Sequence, residues 1–215
     1  KTDTKSDDKD KEKDTDKDKD TVEKTTVPFG DIKGHWAEKV ISELYQKGVM
    51  KGVSDTEFAP DDKLTRAMFV TILYRLENSP EAAVSKFTDV EAGAWYADAA
   101  SWANENGIVN GVTETEFAPD VNITREQMAA VIYRYLKLKG FDVSLEESDD
   151  LTSYGDVGDV SPFAYDAIRC AVKNGIMTGK SDKTIVPKDT ATRAEAAAVL
   201  VRMTDLLDEK LKANE

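Results

Sequence analysis

Three Thr-Arg pairs are the residues of this sequence best suited to chemistry: Thr65-Arg66, Thr124-Arg125 and Thr192-Arg193. Threonine is a good helix N-cap, and the arginine after it takes the first helical position. A helix start carries unpaired N–H groups, and an adjacent guanidinium adds a two-pronged donor. Together they suit a bound anion. The same placement sets a cation against the positive end of the helix dipole, at a cost of about 0.3–1 kcal/mol. Two compatible readings follow. Either the arginine holds an acidic ligand, or it pairs with an aspartate and keeps neighbouring units in register. The aspartates recur too: Asp31, Asp89 and Asp156. A second arginine follows each threonine by ten residues, at Arg75, Arg134 and Arg202. On one helix the two arginines fall on opposite sides, about 13 Å apart, so the second set reads as structural.

These residues belong to a pattern written three times. It runs Gly48-Val49-Met50-Lys51-Gly52, Phe58-Ala59-Pro60, Thr65; then Gly107-Ile108-Val109-Asn110-Gly111, Phe117-Ala118-Pro119, Thr124; then Gly175-Ile176-Met177-Thr178-Gly179, Ile185-Val186-Pro187, Thr192. The first glycine precedes the threonine by 17 residues in every copy. Constant spacing means one supersecondary unit used three times.

Each unit reads as helix, loop, helix. The first helix of copy one is predicted from about His35 to Lys47, with Trp36, Val40, Ile41 and Leu44 at helical spacing. Gly48, Gly107 and Gly175 sit where a helix stops through the left-handed region. Gly52, Gly111 and Gly179 allow a tight turn or a close approach of another group to the backbone. The second helix starts at the threonine. Thr192 with Glu195 and Thr124 with Gln127 form capping boxes, whereas copy one has Met68 there and loses the returning bond. Apolar stripes such as Phe69, Val70, Leu73 and Leu76 mark one face of each second helix, and these faces are expected to meet in a core.

The chain has 215 residues and a formal net charge of -13. Residues 1–26 are almost wholly Lys, Asp, Glu, Thr and Ser, and are expected to be a disordered linker. A unit of about 55 residues is marginal alone, so the three units are expected to share one core. The acidity disfavours nucleic acid and anionic membranes, and no apolar run is long enough to span a membrane. No signal peptide opens the chain, which begins within a polar tract; a processed form or a piece of something longer is expected. Cys170 is the one cysteine and reads as a core residue.

At these motifs the chain closely resembles the S-layer homology (SLH) family, from about Phe29 to Leu207. The shared marks are Phe-x-Asp-Val or a variant, an aromatic before Ala, Gly-Ile-x-x-Gly, Phe-x-Pro and Thr-Arg-Ala-Glu. The resemblance implies a mainly all-α fold, with three repeats in pseudo-threefold order around a central three-helix bundle. The boundaries expected are a linker over 1–28, repeats over 29–82, 83–146 and 147–207, and a tail over 208–215. It implies a secreted, monomeric pseudo-trimer on the Gram-positive cell surface. The module would bind secondary cell-wall polysaccharide, with a pyruvylated amino-sugar terminus, and hold an upstream cargo. The arginines Arg66, Arg125 and Arg193 are implicated in ligand binding by the resemblance. Asp31, Asp89 and Asp156 would take sugar hydroxyls, beside Gly52, Gly111 and Gly179. Trp36, Trp95 and Tyr96 would cover the sugar ring, with Phe163 a poorer platform. The groove near Phe163 is therefore expected to be weak. Exchange of Arg66 or Arg125 for Gln is expected to weaken binding and to leave melting almost unchanged. A protein–protein assembly module is the alternative.

No cofactor or metal is expected. His35 is the only histidine, and the run Asp14 to Asp20 has Lys19 and Thr25 where a calcium loop needs Gly and Glu. Catalysis is not expected either. No carboxylate pair stands out for glycoside hydrolysis, and Gly179-Lys180-Ser181 lacks the setting of a phosphate loop.

Overall fold

A computed structural model describes residues 26–213. Most of the expected linker, and the run Asp14 to Asp20, lie outside the described residues. The protein is all-α: six helices and no strand occur among the described residues. They are α1 (Glu38–Gln46), α2 (Arg66–Leu76), α3 (Ala97–Glu105), α4 (Arg125–Leu138), α5 (Tyr165–Lys173) and α6 (Arg193–Ala213). Each repeat supplies two of them. α1 begins later than its periodicity predicts, because Trp36 and Ala37 form a turn. His35 Nδ1 accepts the Ala37 N–H at 3.1 Å, which fixes this entry. α6 runs on through residues expected to form a tail.

Local chemistry sets the helix ends. Thr65 Oγ1 accepts the Met68 N–H at 3.2 Å, and nothing returns the bond. Thr124 and Gln127 exchange both bonds, at 3.3 and 3.1 Å. Thr192 and Glu195 do the same, at 3.1 and 2.9 Å. Met68→Gln completes the missing box at the cost of some thioether burial. The expected gain is about 0.5 kcal/mol, or roughly 1–2 °C in melting temperature; calorimetry that shows no gain would count against the capping argument. Gly48 has φ 71°, its N–H donates to Tyr45, and Val49 N–H donates to Leu44, both at 2.9 Å. That is a Schellman stop.

The closest helix pairs join different repeats. α3 lies on α2, α5 on α4, and α1 on α6. So the last repeat closes on the first, and the tightest pairing is not among the three second helices. Three backbone bonds link the segments before those helices. Ile123 N–H donates to Leu64, Ala191 N–H to Ile123, and Leu64 N–H to Ala191, at 2.9, 2.9 and 3.0 Å. Around this triangle lies a core that includes Phe58, Phe69, Leu73, Phe117 and Met128, all fully buried. Cys170 is buried in it as well.

Candidate functional site

The donors at the second-helix starts are already occupied. Arg66 N–H donates to Val121, Arg125 N–H to Asp189 and Arg193 N–H to Asp62, each at 2.9 Å. The next N–H, of Ala67, Glu126 and Ala194, donates to Pro119, Pro187 and Pro60. The third is held by the threonine cap. Sequence reasoning reserved these groups for an anion; the fold spends them on joining one repeat to another.

The arginine side chains go the same way. Arg193 Nε donates to the Phe58 carbonyl and its Nη2 to the Lys51 carbonyl, both at 2.8 Å. Arg125 donates to Ile185 at 2.9 Å and to Thr178 at 2.7 Å. Arg66 Nε donates to Phe117 at 2.8 Å. Arg193 and Arg66 also lie over the rings of Phe58 and Phe117, at 4.4 and 5.1 Å. All three arginines are buried. They make no ion pair with Asp31, Asp89 or Asp156, which corrects the register reading: the bond between repeats is guanidinium to carbonyl. Burial lowers the pKa of all three, against the pull of nearby carboxylates. An arginine stays charged regardless.

The aspartates hold the loop that presents those carbonyls. Asp31 accepts from Phe58 and Ala59, Asp89 from Phe117 and Ala118, and Asp156 from Ile185 and Val186, at 2.6–3.0 Å. The second residue of each pair is left-handed, with φ of 56° at Ala59, 57° at Ala118 and 50° at Val186. A β-branched residue such as Val186 avoids that region. The paired N–H bonds to one carboxylate hold it there. For Asp31 and Asp156, burial pushes the pKa up, but these N–H bonds outweigh it and the carboxyls sit below their usual range. Their contribution is therefore complete above the unfolded pKa of about 3.9. It is lost as pH falls through the lower folded value. Urea unfolding between pH 7 and pH 2 is expected to show stability declining below about pH 4. The double change Asp31→Ala, Asp156→Ala is expected to lower stability at neutral pH and flatten that acid limb. An unchanged limb would place the titration elsewhere.

Two grooves run beside these joints, and each draws on three repeats. The first, of about 160 Å³, is walled by Lys51, Gly52 and Val53 and by Met68 and Arg75 of α2. Trp95 of the second repeat and Arg193 of the third complete it. The second, of about 430 Å³, has Asn110, Gly111 and Val112, then Gln127 and Arg134 of α4. Phe163 of the third repeat and Arg66 of the first complete that one. The glycines are required there. A Cβ on Gly52 would lie 2.4 and 2.6 Å from the Ser54 and Glu57 carbonyl oxygens, and one on Gly111 2.5 and 2.6 Å from those of Thr113 and Glu116. Gly179 is enclosed in the same way.

The structure thus gathers Gly52, Trp95 and Arg193 in one groove and Arg66 and Gly111 in the other. Asp31, Asp89 and Asp156 line neither. Trp36 lines a separate depression with Val27, His35 and the outer face of α1. Tyr96 is half-buried, and its place before α3 corresponds to Ala37 and Ala164 before α1 and α5. The equivalent exposed rings are Trp36, Trp95 and Phe163, at 64, 61 and 57%. Sequence reasoning missed Arg75 and Arg134. It kept the two arginine sets apart because one helix separates them, but Arg75 meets Arg193, and Arg134 meets Arg66, from different repeats. Met68 and Gln127, read as caps only, also face the grooves.

Comparison with known proteins agrees with the threefold pattern. The S-layer homology domain matches residues 28–68, 86–129 and 153–197. The chain is 37% identical to Exoglucanase XynX of Acetivibrio thermocellus over 83% of its own length and 16% of that protein. It is 34% identical to the Surface-layer 125 kDa protein of Lysinibacillus sphaericus, over 87% of its length and 16% of that protein. It is 29% identical to the Cellulosome-anchoring protein of A. thermocellus, over 71% of its length and 34% of that protein. The chain therefore spans a minor part of each of these relatives.

Proposed function

The chain belongs to the S-layer homology domain family, and from that premise we propose that it anchors an attached protein to the Gram-positive cell wall. It binds secondary cell-wall polysaccharide without chemistry, through an acidic, pyruvylated amino-sugar terminus. It acts as a secreted monomer. Relatives named as surface-layer and cellulosome-anchoring proteins support the surface role. No helix among the described residues is long and apolar enough to cross a membrane.

The observation that carries the reading is the composition of the grooves. Each combines a buried guanidinium from one repeat, a second arginine from another, and an exposed ring from the third. Arg193 has two nitrogens bound to carbonyls, which holds the third in a fixed direction. A carboxylate meets two guanidinium groups, and a pyranose face meets Trp95 or Phe163. The field is local. The chain as a whole, with its net charge of -13, repels other wall polyanions.

The test is a pull-down with purified walls. The protein is expected to sediment with intact walls, to stay in solution after the non-peptidoglycan polymer is extracted, and to be released by a pyruvylated wall fragment. Retention on extracted walls would overturn the ligand class. Self-association without wall binding would favour an assembly module instead.

A further inference from the structure

The three buried arginines differ in what faces them, and the difference falls on one residue of each second helix. In the groove of Arg193 that residue is Met68; in the groove of Arg66 it is Gln127. At Arg125 it is Glu195, whose Oε1 lies 3.8 Å from Nη1. Among the described residues this is the only ion pair that any of the three arginines makes. Other acids stand near each of them: Asp62 and Asp31 near Arg193, Asp89 near Arg66, Asp189 and Asp156 near Arg125. Asp31, Asp89 and Asp156 are committed to backbone N–H groups. Around Arg125 the closure goes further. Lys180 reaches Glu195 at 3.7 Å and Asp189 at 3.0 Å, so the chain's own charges pair there.

We infer that this residue sets which ligand charge each position accepts. Met68 and Gln127 leave two grooves cationic, open to an anionic sugar, whereas Glu195 already supplies the carboxylate at Arg125 and excludes a second one. The inference rests on the polysaccharide reading above and refines it. It also departs from the sequence-based ranking at the Phe163 groove. The groove at Phe163 is walled by two arginines, Arg66 and Arg134, with no acid among its lining residues, and is an active one. Like charges at ion-pair distance in a partly buried site oppose each other strongly, so the acid outweighs the quality of the aromatic platform.

The fold itself provides a clean exchange. Gln127 and Glu195 close the same capping box, so each can replace the other without loss of the helix start. The experiment is calorimetric titration of the full chain with a pyruvylated amino-sugar monosaccharide and with its unpyruvylated counterpart. The unaltered protein is expected to bind two equivalents of the acidic sugar. Glu195→Gln is expected to bind three, and Gln127→Glu one, the lost site weakening by about 10- to 100-fold. Met68→Glu, which also completes a capping box, should independently remove the site at Arg193. Three equal sites in the unaltered protein would overturn the inference. So would an unchanged count in Glu195→Gln or in both carboxylate-adding variants, or equal binding of the neutral sugar. No binding of either sugar by the unaltered protein would overturn the groove reading itself, and this inference with it.

Discussion

A chain cut after its second repeat, at residue 146, is expected not to fold. The reason is that no repeat packs mainly on itself. α1 pairs with α6, so removing the third repeat exposes the buried face of α1, including Ile41 and Leu44. α4 loses α5 at the same time. Two of the three bonds in the central triangle go, along with the Pro187 and Asp189 acceptors at the start of α4 and the donors of Arg193 to Lys51 and Phe58. Linear repeat arrays tolerate shortening, because each unit contacts only its neighbours in sequence. Here the first and last units are partners, and the interface lost cannot be capped. Circular dichroism of the shortened chain is expected to show low helicity and no cooperative thermal transition. A sigmoidal melt from the two-repeat fragment would refute the closure argument.

Arg193→Ala is expected to cost about 3–6 kcal/mol, because two charged hydrogen bonds to backbone carbonyls are lost at about 1.5–3 kcal/mol each. Total stability of a domain is about 5–15 kcal/mol, so a large part of the folded margin goes with one side chain. The cation over the Phe58 ring is lost as well. Arg125→Ala also removes two carbonyl bonds and should cost a similar amount. Arg66→Ala removes one such bond and should cost about 2 kcal/mol. The expected order of destabilisation is thus Arg193 and Arg125 above Arg66, read by chemical denaturation with two-state fits. This replaces the sequence-based expectation that melting would barely move. If all three variants melt like the unaltered protein, the arginines are ligand groups and nothing more.

What the sequence made legible was local. Thr65, Thr124 and Thr192 cap helices, and Gly48, Gly107 and Gly175 end them, because the bonds involved reach only a few residues along the chain. The arginine partners were not legible. Arg193 reaches the carbonyls of Phe58 and Lys51, which are 135 and 142 residues away. A backbone carbonyl leaves no signature in residue type, so the aspartates looked like the natural acceptors. They are bonded instead to the N–H groups beside those same carbonyls, and both halves of the arrangement explain why the residues recur together. The aromatic register was available but misread. Counting back 12 residues from Gly48, Gly107 and Gly175 gives Trp36, Trp95 and Phe163, and leaves Tyr96 one place out of step. The grooves themselves could not be read from one repeat, since each takes its walls from all three.

That division of each groove among three repeats ties occupancy to the survival of the whole protein. Any partial opening that separates one repeat from the others takes a groove apart, so a ligand held there is released before the chain can unfold. Binding to the folded form alone then adds RT ln(1 + [L]/Kd), about 2.7 kcal/mol at a ligand concentration a hundredfold above Kd. On the wall-anchor reading proposed above, a wall that presents its polymer ends at high local density would keep docked copies folded longer than copies adrift in the medium. Proteases outside the cell, which cut opened chains, would clear the strays and spare the population already in place.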